Sequence, residues 1–190
     1  MTSMDVFKGR ITSSGFSSGD RIVIGDWKES KLGSFTNIMW AKKDGTRVLL
    51  SPSKEHAELV SSLYNFEEVR IVDVNVERSG KSIIVSAGDL QVKMSWGFTW
   101  PIPLWRPLWF VATVEAFFGR LIFGTKTHGL TKDQRKAWYS VRSLSRVVAA
   151  EGKLGNTDLG EGRPFETTAC FGFSDPPLMP TSVTLKTYIN

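Results

Sequence analysis

The chain has 190 residues, of which 41% are hydrophobic and 23% are charged, and both fractions are close to those of globular proteins. This composition excludes collagen-like, coiled-coil and intrinsically disordered chains, and the length predicts a single domain over residues 1–190. The net charge is +5, from 24 Lys and Arg against 19 Asp and Glu. Because the basic excess is small and dispersed, we expect a solvated basic surface and no nucleic-acid partner.

The sequence contains few Cys and His residues that could bind a metal ion. Cys170 is the single cysteine, and His56 and His128 are the two histidines. No HExxH or CxxC spacing is present, so we expect neither a metal site nor a disulfide, and no motif calls for a cofactor. The first ten residues lack a basic segment followed by an apolar one, which predicts no signal peptide and a cytoplasmic location.

The first half of the chain predicts β-structure interrupted by one short helix. A Ser/Gly-rich loop is expected over Ser13–Asp20, and Ser53 is suited to cap a helix over Lys54–Tyr64. The connections between the later strands are too short for crossover helices, which favours antiparallel pairing. The predicted strands are Val6–Ile11, Arg21–Asp26, Thr36–Ala41, Thr46–Leu50, Val69–Glu77, Ser82–Ala87 and Leu90–Trp96.

An aromatic segment follows, from Trp96 to Gly124. Three prolines exclude regular helix in its first part, and Pro107 then suits the first turn of a nearly buried helix over Leu108–Phe123. This helix is shorter than the ~20 apolar residues that span a bilayer, and it carries charges. We therefore expect no transmembrane segment.

The second half of the chain predicts more strands. A capping box at Thr131–Gln134 suggests a short helix, and the strands expected after it are Trp138–Leu144, Val147–Leu154, Thr167–Phe173 and Val183–Ile189. The predicted fold class is α+β. A curved antiparallel sheet or partly open β-barrel of eight to ten strands carries one aromatic-rich helix and one short helix.

Three stretches of the sequence resemble segments of other proteins. They are GDRIVIGDWKESKLGSFTNIMWAKKDGTRVLLSPS (Gly19–Ser53), AAEGKLGNTDLG (Ala149–Gly160) and FGFSDPP (Phe171–Pro177). Together they resemble a family of small soluble bacterial proteins without an assigned activity. The resemblance implies a single-domain bacterial protein and assigns no residue a role.

The aromatic segment is also the predicted functional site. Ligand pockets are mostly apolar with a few polar groups that fix orientation, so we predict a small apolar or amphipathic ligand. The predicted ligand-binding residues are Trp96, Trp100, Trp105, Arg106, Trp109, Glu115 and His128.

Three alternatives stay open. The same aromatic residues could simply form a core. An acid–base enzyme could act on a small carbonyl compound through Glu115, His128 or Lys126. A Trp/Pro segment at Gly97–Pro107 could be a protein–protein surface, in which case a homodimer is one option.

Overall fold

One large β-sheet forms most of the protein. The computed structural model describes residues 5–102, 128–132, 135–165, 171–172 and 177–190. The strands within these residues are β1 (Asp5–Phe16), β2 (Arg21–Glu29), β3 (Phe35–Ala41), β4 (Arg47–Ser51), β5 (Glu68–Ile71), β6 (Val74–Ser79), β7 (Ser82–Ala87), β8 (Leu90–Pro101), β9 (His128–Leu130), β10 (Lys136–Leu154), β11 (Thr157–Asp158), β12 (Gly162–Arg163) and β13 (Thr181–Ile189).

The main strands follow the order β5-β4-β3-β2-β1-β13-β10-β8-β7-β6, with β9 and β11 paired to β10 and β12 paired to β1. Every described pair is antiparallel except β4 and β5. The helix α1 (Lys54–Leu63) connects these two strands, so they form a small βαβ unit that the antiparallel prediction missed.

The helix begins as predicted. The Ser53 side chain accepts a hydrogen bond from the His56 backbone amide, which satisfies one of the free donors of the first helical turn. The buried residues of α1 are Ala57, Leu59, Val60 and Leu63. This apolar stripe packs against one face of the sheet.

The sheet has an apolar core on each face. The core that includes α1 takes alternate residues of the first strands, such as Phe7, Val23, Met39 and Leu49. The opposite face contributes Ile22, Ile24, Ile38, Trp40, Val48 and Leu50, together with Ile83, Val85, Leu90, Val92, Met94 and Trp96 from the other end of the sheet. Residues from β2–β4 thus contact residues from β7 and β8, although those strands are far apart in the sheet order.

The sheet is therefore curled, with this second core on its concave face. A hydrogen-bonded ion pair between Arg78 on β6 and Asp26 on β2 confirms that the two ends face each other. In the described chain, β5 and β6 are not paired with one another. The architecture fits the predicted curved sheet or partly open barrel.

Several predicted boundaries were wrong. β1 continues through Phe16, so Ser13 to Phe16 belong to a strand and not to a loop. The predicted strand Val69–Glu77 is two strands, β5 and β6, and the two strands predicted over 138–154 are the single strand β10. β1 pairs with β2 on one side and with β13 and then β12 on the other, and this pairing holds its Ser and Gly residues extended.

The predicted aromatic helix Leu108–Phe123 lies outside the described residues. Among those that are described, α1 is the one helix, so the two-helix detail is not matched. Thr131 and Lys132 precede β10 without forming a helical turn. No helix in the described part of the chain combines the length and the apolar character needed to cross a membrane.

Candidate functional site

Two β-bulges place basic residues near one end of the concave face. Between β1 and β2, Lys8 is opposite Glu29 and Gly9 is opposite Trp27, which leaves Lys28 as an extra residue. Bulges locally bend a strand and redirect a side chain, and they are frequent next to binding sites.

The second bulge lies in β10. Val141 is opposite Leu185 and Ser143 is opposite Thr184, so Arg142 is the extra residue there. Its carbonyl accepts a hydrogen bond from the Ile102 amide at 2.9 Å. Both extra residues are cations, and both line the same cleft.

That cleft has a volume of about 620 Å³. It is lined from seven strands, and its ionisable residues are Lys8, Arg10, Asp26, Lys28, Glu29, Arg78, Arg142 and Lys186. Six of these are cations and two are carboxylates. Trp96 and Ile83 supply an apolar wall. The volume lies within the range of small-molecule sites.

Arg10 is the central cation of the cleft. Its guanidinium lies over the Trp96 ring, with the Cζ atom 4.5 Å from the ring centroid, and Nη1 donates a hydrogen bond to Ser182 Oγ at 2.9 Å. Ser182 is fully buried and is itself hydrogen-bonded to Thr12. The arginine is half-buried and has no ion pair within the described part of the chain. Burial lowers the pKa of Arg10, while the Asp26 charge acts in the opposite direction.

Asp26 is the buried carboxylate of the cleft, with only 4% of its surface exposed. Arg78 donates two hydrogen bonds to it, at 2.8 Å from Nε and 2.5 Å from Nη2, and Thr36 donates a third at 2.9 Å. Burial alone would raise the pKa of Asp26, but these hydrogen bonds and the charges of Arg78 and Lys28 outweigh it, so the pKa lies below its usual value. Asp26 is therefore ionised at neutral pH and neutralises Arg78.

The charges of the cleft do not balance. Lys8 pairs with Glu29 at 2.5 Å, and Arg78 pairs with Asp26. The four remaining cations, Arg10, Lys28, Arg142 and Lys186, have no carboxylate partner among the described residues. Lys186 is opposite Lys8 on β1, and its Nζ lies 4.6 Å from the centroid of the Tyr188 ring. An anion in the cleft would balance the excess positive charge.

The structure separates the predicted site residues. Trp96 is 7% exposed, belongs to the concave core and lines the cleft. Trp100 is 67% exposed and makes an edge-to-face contact with Phe98 at 5.1 Å, so it does not share the cleft with Trp96. His128 begins β9, opposite Trp138. Three further predicted site residues, Trp105, Arg106 and Trp109, lie outside the described residues, as does Glu115.

Sequence reasoning missed Arg10 and its basic neighbours. A signal was present in β1, where Lys8, Arg10 and Thr12 alternate on the face that carries Phe16. The same alternation occurs in β13, where Ser182, Thr184 and Lys186 share a face. The predicted strand ended at Ile11, before Phe16. The sequence therefore did not show that these polar residues share a sheet face with a core residue.

Other depressions are poorer candidates. A groove of about 680 Å³ includes Lys93, Glu151, Lys153, Asp158 and Glu161, whose charges nearly cancel. A cavity of about 40 Å³ between α1 and the sheet is too small for most ligands. In residues 5–102 and the shorter described stretches that follow, no three His, Cys, Asp or Glu side chains converge as a metal site would require.

Neither a family model nor a curated protein sequence matches the chain. The chain is similar to a solved structure, the acetoacetate decarboxylase of Legionella pneumophila subsp. pneumophila str. Philadelphia 1. The alignment covers 98% of this chain and 84% of that chain, with 10% identity and a TM-score of 0.44.

Proposed function

We propose that this protein binds a small amphipathic anion in the cleft around Arg10. The anionic group would contact the Arg10 guanidinium, and the apolar part would lie against Trp96 and Ile83. The observation that carries the proposal is a half-buried arginine that is oriented by an aromatic ring and a buried hydroxyl but has no carboxylate partner in the described chain.

The energetics of burial support a ligand. Removing a charge from water is costly unless it is paired, so buried cations in proteins normally have an anionic partner. An arginine has five N–H donors, and among the described residues Ser182 accepts a hydrogen bond from one of them. A carboxylate or phosphate could accept from the remaining donors, because a guanidinium can bind such a group through two parallel hydrogen bonds.

Octanoate tests the proposal, with octanamide as its neutral counterpart. Octanoate is expected to bind in calorimetry and to raise the melting temperature as its concentration rises, because a ligand that binds only the folded state stabilises it. Octanamide has the same chain without the charge, so it is expected to bind much more weakly.

Variants identify the site. Arg10→Met keeps an unbranched side chain over Trp96 but removes the charge, and we expect it to weaken octanoate binding at least tenfold, which is about 1.4 kcal/mol. Arg146→Met is the matched control, because Arg146 is an exposed cation on β10 that does not line the cleft. Equal octanoate affinity in the two variants, or equal stabilisation by octanamide and octanoate, would refute the proposal.

The two other functional hypotheses stay predictions. The acid–base enzyme would act through Glu115, Lys126 or the His128 side chain, all outside the described part of the structure. The protein–protein surface over Gly97–Pro107 is described only as far as residue 102. Within that part, Phe98 and Trp100 are an exposed aromatic pair, which such a surface would use.

A further inference from the structure

The basic residues of the cleft extend over more of the sheet than one anionic group can contact. Lys28 is on β2, Arg10 on β1, Lys186 on β13 and Arg142 on β10, and these four strands are consecutive neighbours in the sheet. Adjacent strands are about 4.8 Å apart, so the four residues span roughly 14 Å across the sheet. Arg10 and Arg142 are separated by one intervening strand, on the order of 10 Å.

The register places these cations in two groups. Arg10 is opposite Thr184 on β13, and the Asp26 charge acts on both Arg10 and Lys28. Arg142 is on β10, on the other side of β13, in the bulge between the residues that face Leu185 and Thr184. Lys186 is opposite Lys8, and its Nζ lies 4.6 Å from the centroid of the Tyr188 ring. Thr184, an uncharged residue of β13, therefore separates Arg10 and Lys28 on one side from Arg142 on the other.

A single carboxylate would leave most of this charge uncompensated. If it bound Arg10, Arg142 would still lack an anion on the far side of Thr184. Both groups are satisfied together only when negative charge is present at both ends of the ligand.

We infer that the ligand of this cleft carries two anionic groups, one bound by Arg10 and the other by Arg142. The ligand class is a small α,ω-dianion, a chain with a carboxylate or phosphate at each end. This inference rests on the proposed function, because it assumes that Arg10 binds the first anionic group.

Suberate and octanoate provide the test, since they have the same number of carbon atoms and differ in the second carboxylate. Calorimetry on the wild-type protein is expected to show that suberate binds at least tenfold more tightly than octanoate. The ratio is expected to fall as salt is added, because screening weakens the second charge contact. A phosphate ester of an ω-hydroxy acid of similar length distinguishes a phosphate at the second position from a carboxylate.

Arg142→Met separates the two groups. It is expected to lower suberate affinity to the level of octanoate while changing octanoate affinity less than twofold, whereas Arg10→Met weakens both ligands. Arg146→Met again serves as the control, and it is expected to affect neither ligand. Arg142→Gln provides a second variant at the same position should Arg142→Met not fold.

The outcomes distinguish this inference from the proposed function. If octanoate binds through Arg10 but suberate binds no more tightly, the second anionic group is refuted and the proposed function stands. If Arg142→Met weakens both ligands equally, the two-group arrangement is also refuted. If neither ligand binds the wild-type protein, both proposals are refuted.

Discussion

The orientation of Arg10 is held from two sides without a carboxylate. The guanidinium lies over the Trp96 ring, and Nη1 donates a hydrogen bond to Ser182. Restricting the side chain before binding reduces the entropy lost when an anion binds. The Lys28 ammonium, by contrast, is carried on an exposed side chain without a described hydrogen-bond partner.

Arg10→Lys tests whether this geometry matters beyond charge. Lysine keeps the positive charge but lacks the planar group that stacks on an aromatic ring and binds an anion through two hydrogen bonds. We expect octanoate affinity to fall at least fivefold, with a smaller change in melting temperature than in Arg10→Met. An affinity equal to that of the wild type would mean that charge alone accounts for the effect of Arg10.

Asp26 gives the protein a pH-dependent contribution to stability. Its pKa is lower in the folded state than in the unfolded chain, where it is about 3.9. A group with a lowered folded-state pKa stabilises the folded protein above the unfolded pKa, and this stabilisation is lost as the pH falls through the folded-state value.

Asp26→Asn is expected to lower the free energy of unfolding by about 2 kcal/mol at pH 7. The change leaves Arg78 without its partner, although that arginine is half exposed, which limits the cost. Urea unfolding between pH 3 and pH 7 measures the free energy of unfolding of both proteins. The difference between the wild type and Asp26→Asn is expected to be constant above about pH 5 and to shrink below about pH 4. A difference independent of pH would contradict the role of the carboxylate charge.

Glu29→Gln, which removes an exposed carboxylate of the same cleft, is the control and is expected to change stability little.

The burial of Trp96 could be predicted from the sequence, whereas its contact with Arg10 could not. Strict alternation from Leu90 to Trp96 placed it on an interior face, and the structure confirms that placement. Its contact with Arg10 joins residues far apart in the sequence and depends on how the sheet curls. No local pattern carries that information, and the sequence therefore predicted Arg106, Glu115 and His128 as the polar groups of the site.

The strands that form the cleft depend on a close approach of two backbones. A Cβ atom at Gly9 would lie 2.3 Å from the Asp26 carbonyl oxygen and 2.9 Å from Trp27 Cα, both backbone atoms of β2. Only glycine fits there, next to the bulge that contains Lys28. The bulge and the glycine together bring β2 against β1.

Gly9→Ala is therefore expected to destabilise the protein by more than about 2 kcal/mol, because backbone atoms of β2 must move to admit the methyl group. Gly97→Ala is the matched control on β8, where the added Cβ would meet only the Val148 methyl at 3.3 Å, and Val148 is an exposed side chain. Urea unfolding of the two variants tests this. Equal stability losses would show that the β1–β2 contact yields more easily than its geometry indicates.

The elements were predictable to different degrees. The Ser53 cap and the β7 boundaries follow from local signals, and the structure confirms both. The bulges in β2 and β10 could not be predicted, since a bulge is a mismatch between two strands and the sequence of one strand does not specify its partner. The parallel pairing of β4 and β5 likewise depends on where the chain returns after α1.

The whole sheet is held in its curled form by contacts between strands that are not neighbours. The concave core joins β2–β4 to β7 and β8 through apolar side chains. Near the cleft, the ion pair of Asp26 and Arg78 takes the place of these apolar contacts and joins β2 to the edge strand β6.

The curved antiparallel sheet was predictable from strand patterns. The order of its strands and the pairing of β1 with β13 were not, because such long-range contacts leave no periodic signal.

Arg78→Met tests how the edge hairpin of β6 and β7 is held. β6 pairs with β7 on one side and has no described partner on the other, so its amides open more easily than those of the central strands. Removing the ion pair is expected to speed hydrogen exchange of the β6 amides by about tenfold, equivalent to about 1.4 kcal/mol of local opening free energy.

The central strands serve as the internal reference for that measurement. Amides of β1 and β13, which are paired on both sides, are expected to exchange at nearly the wild-type rate in Arg78→Met. A uniform acceleration over all strands would indicate global destabilisation, and an unchanged β6 would show that the concave core alone holds the edge. A selective increase in β6 would mean that the ion pair at the cleft also fixes the position of the edge hairpin, so that the shape of the binding site and the closure of the sheet depend on the same contact.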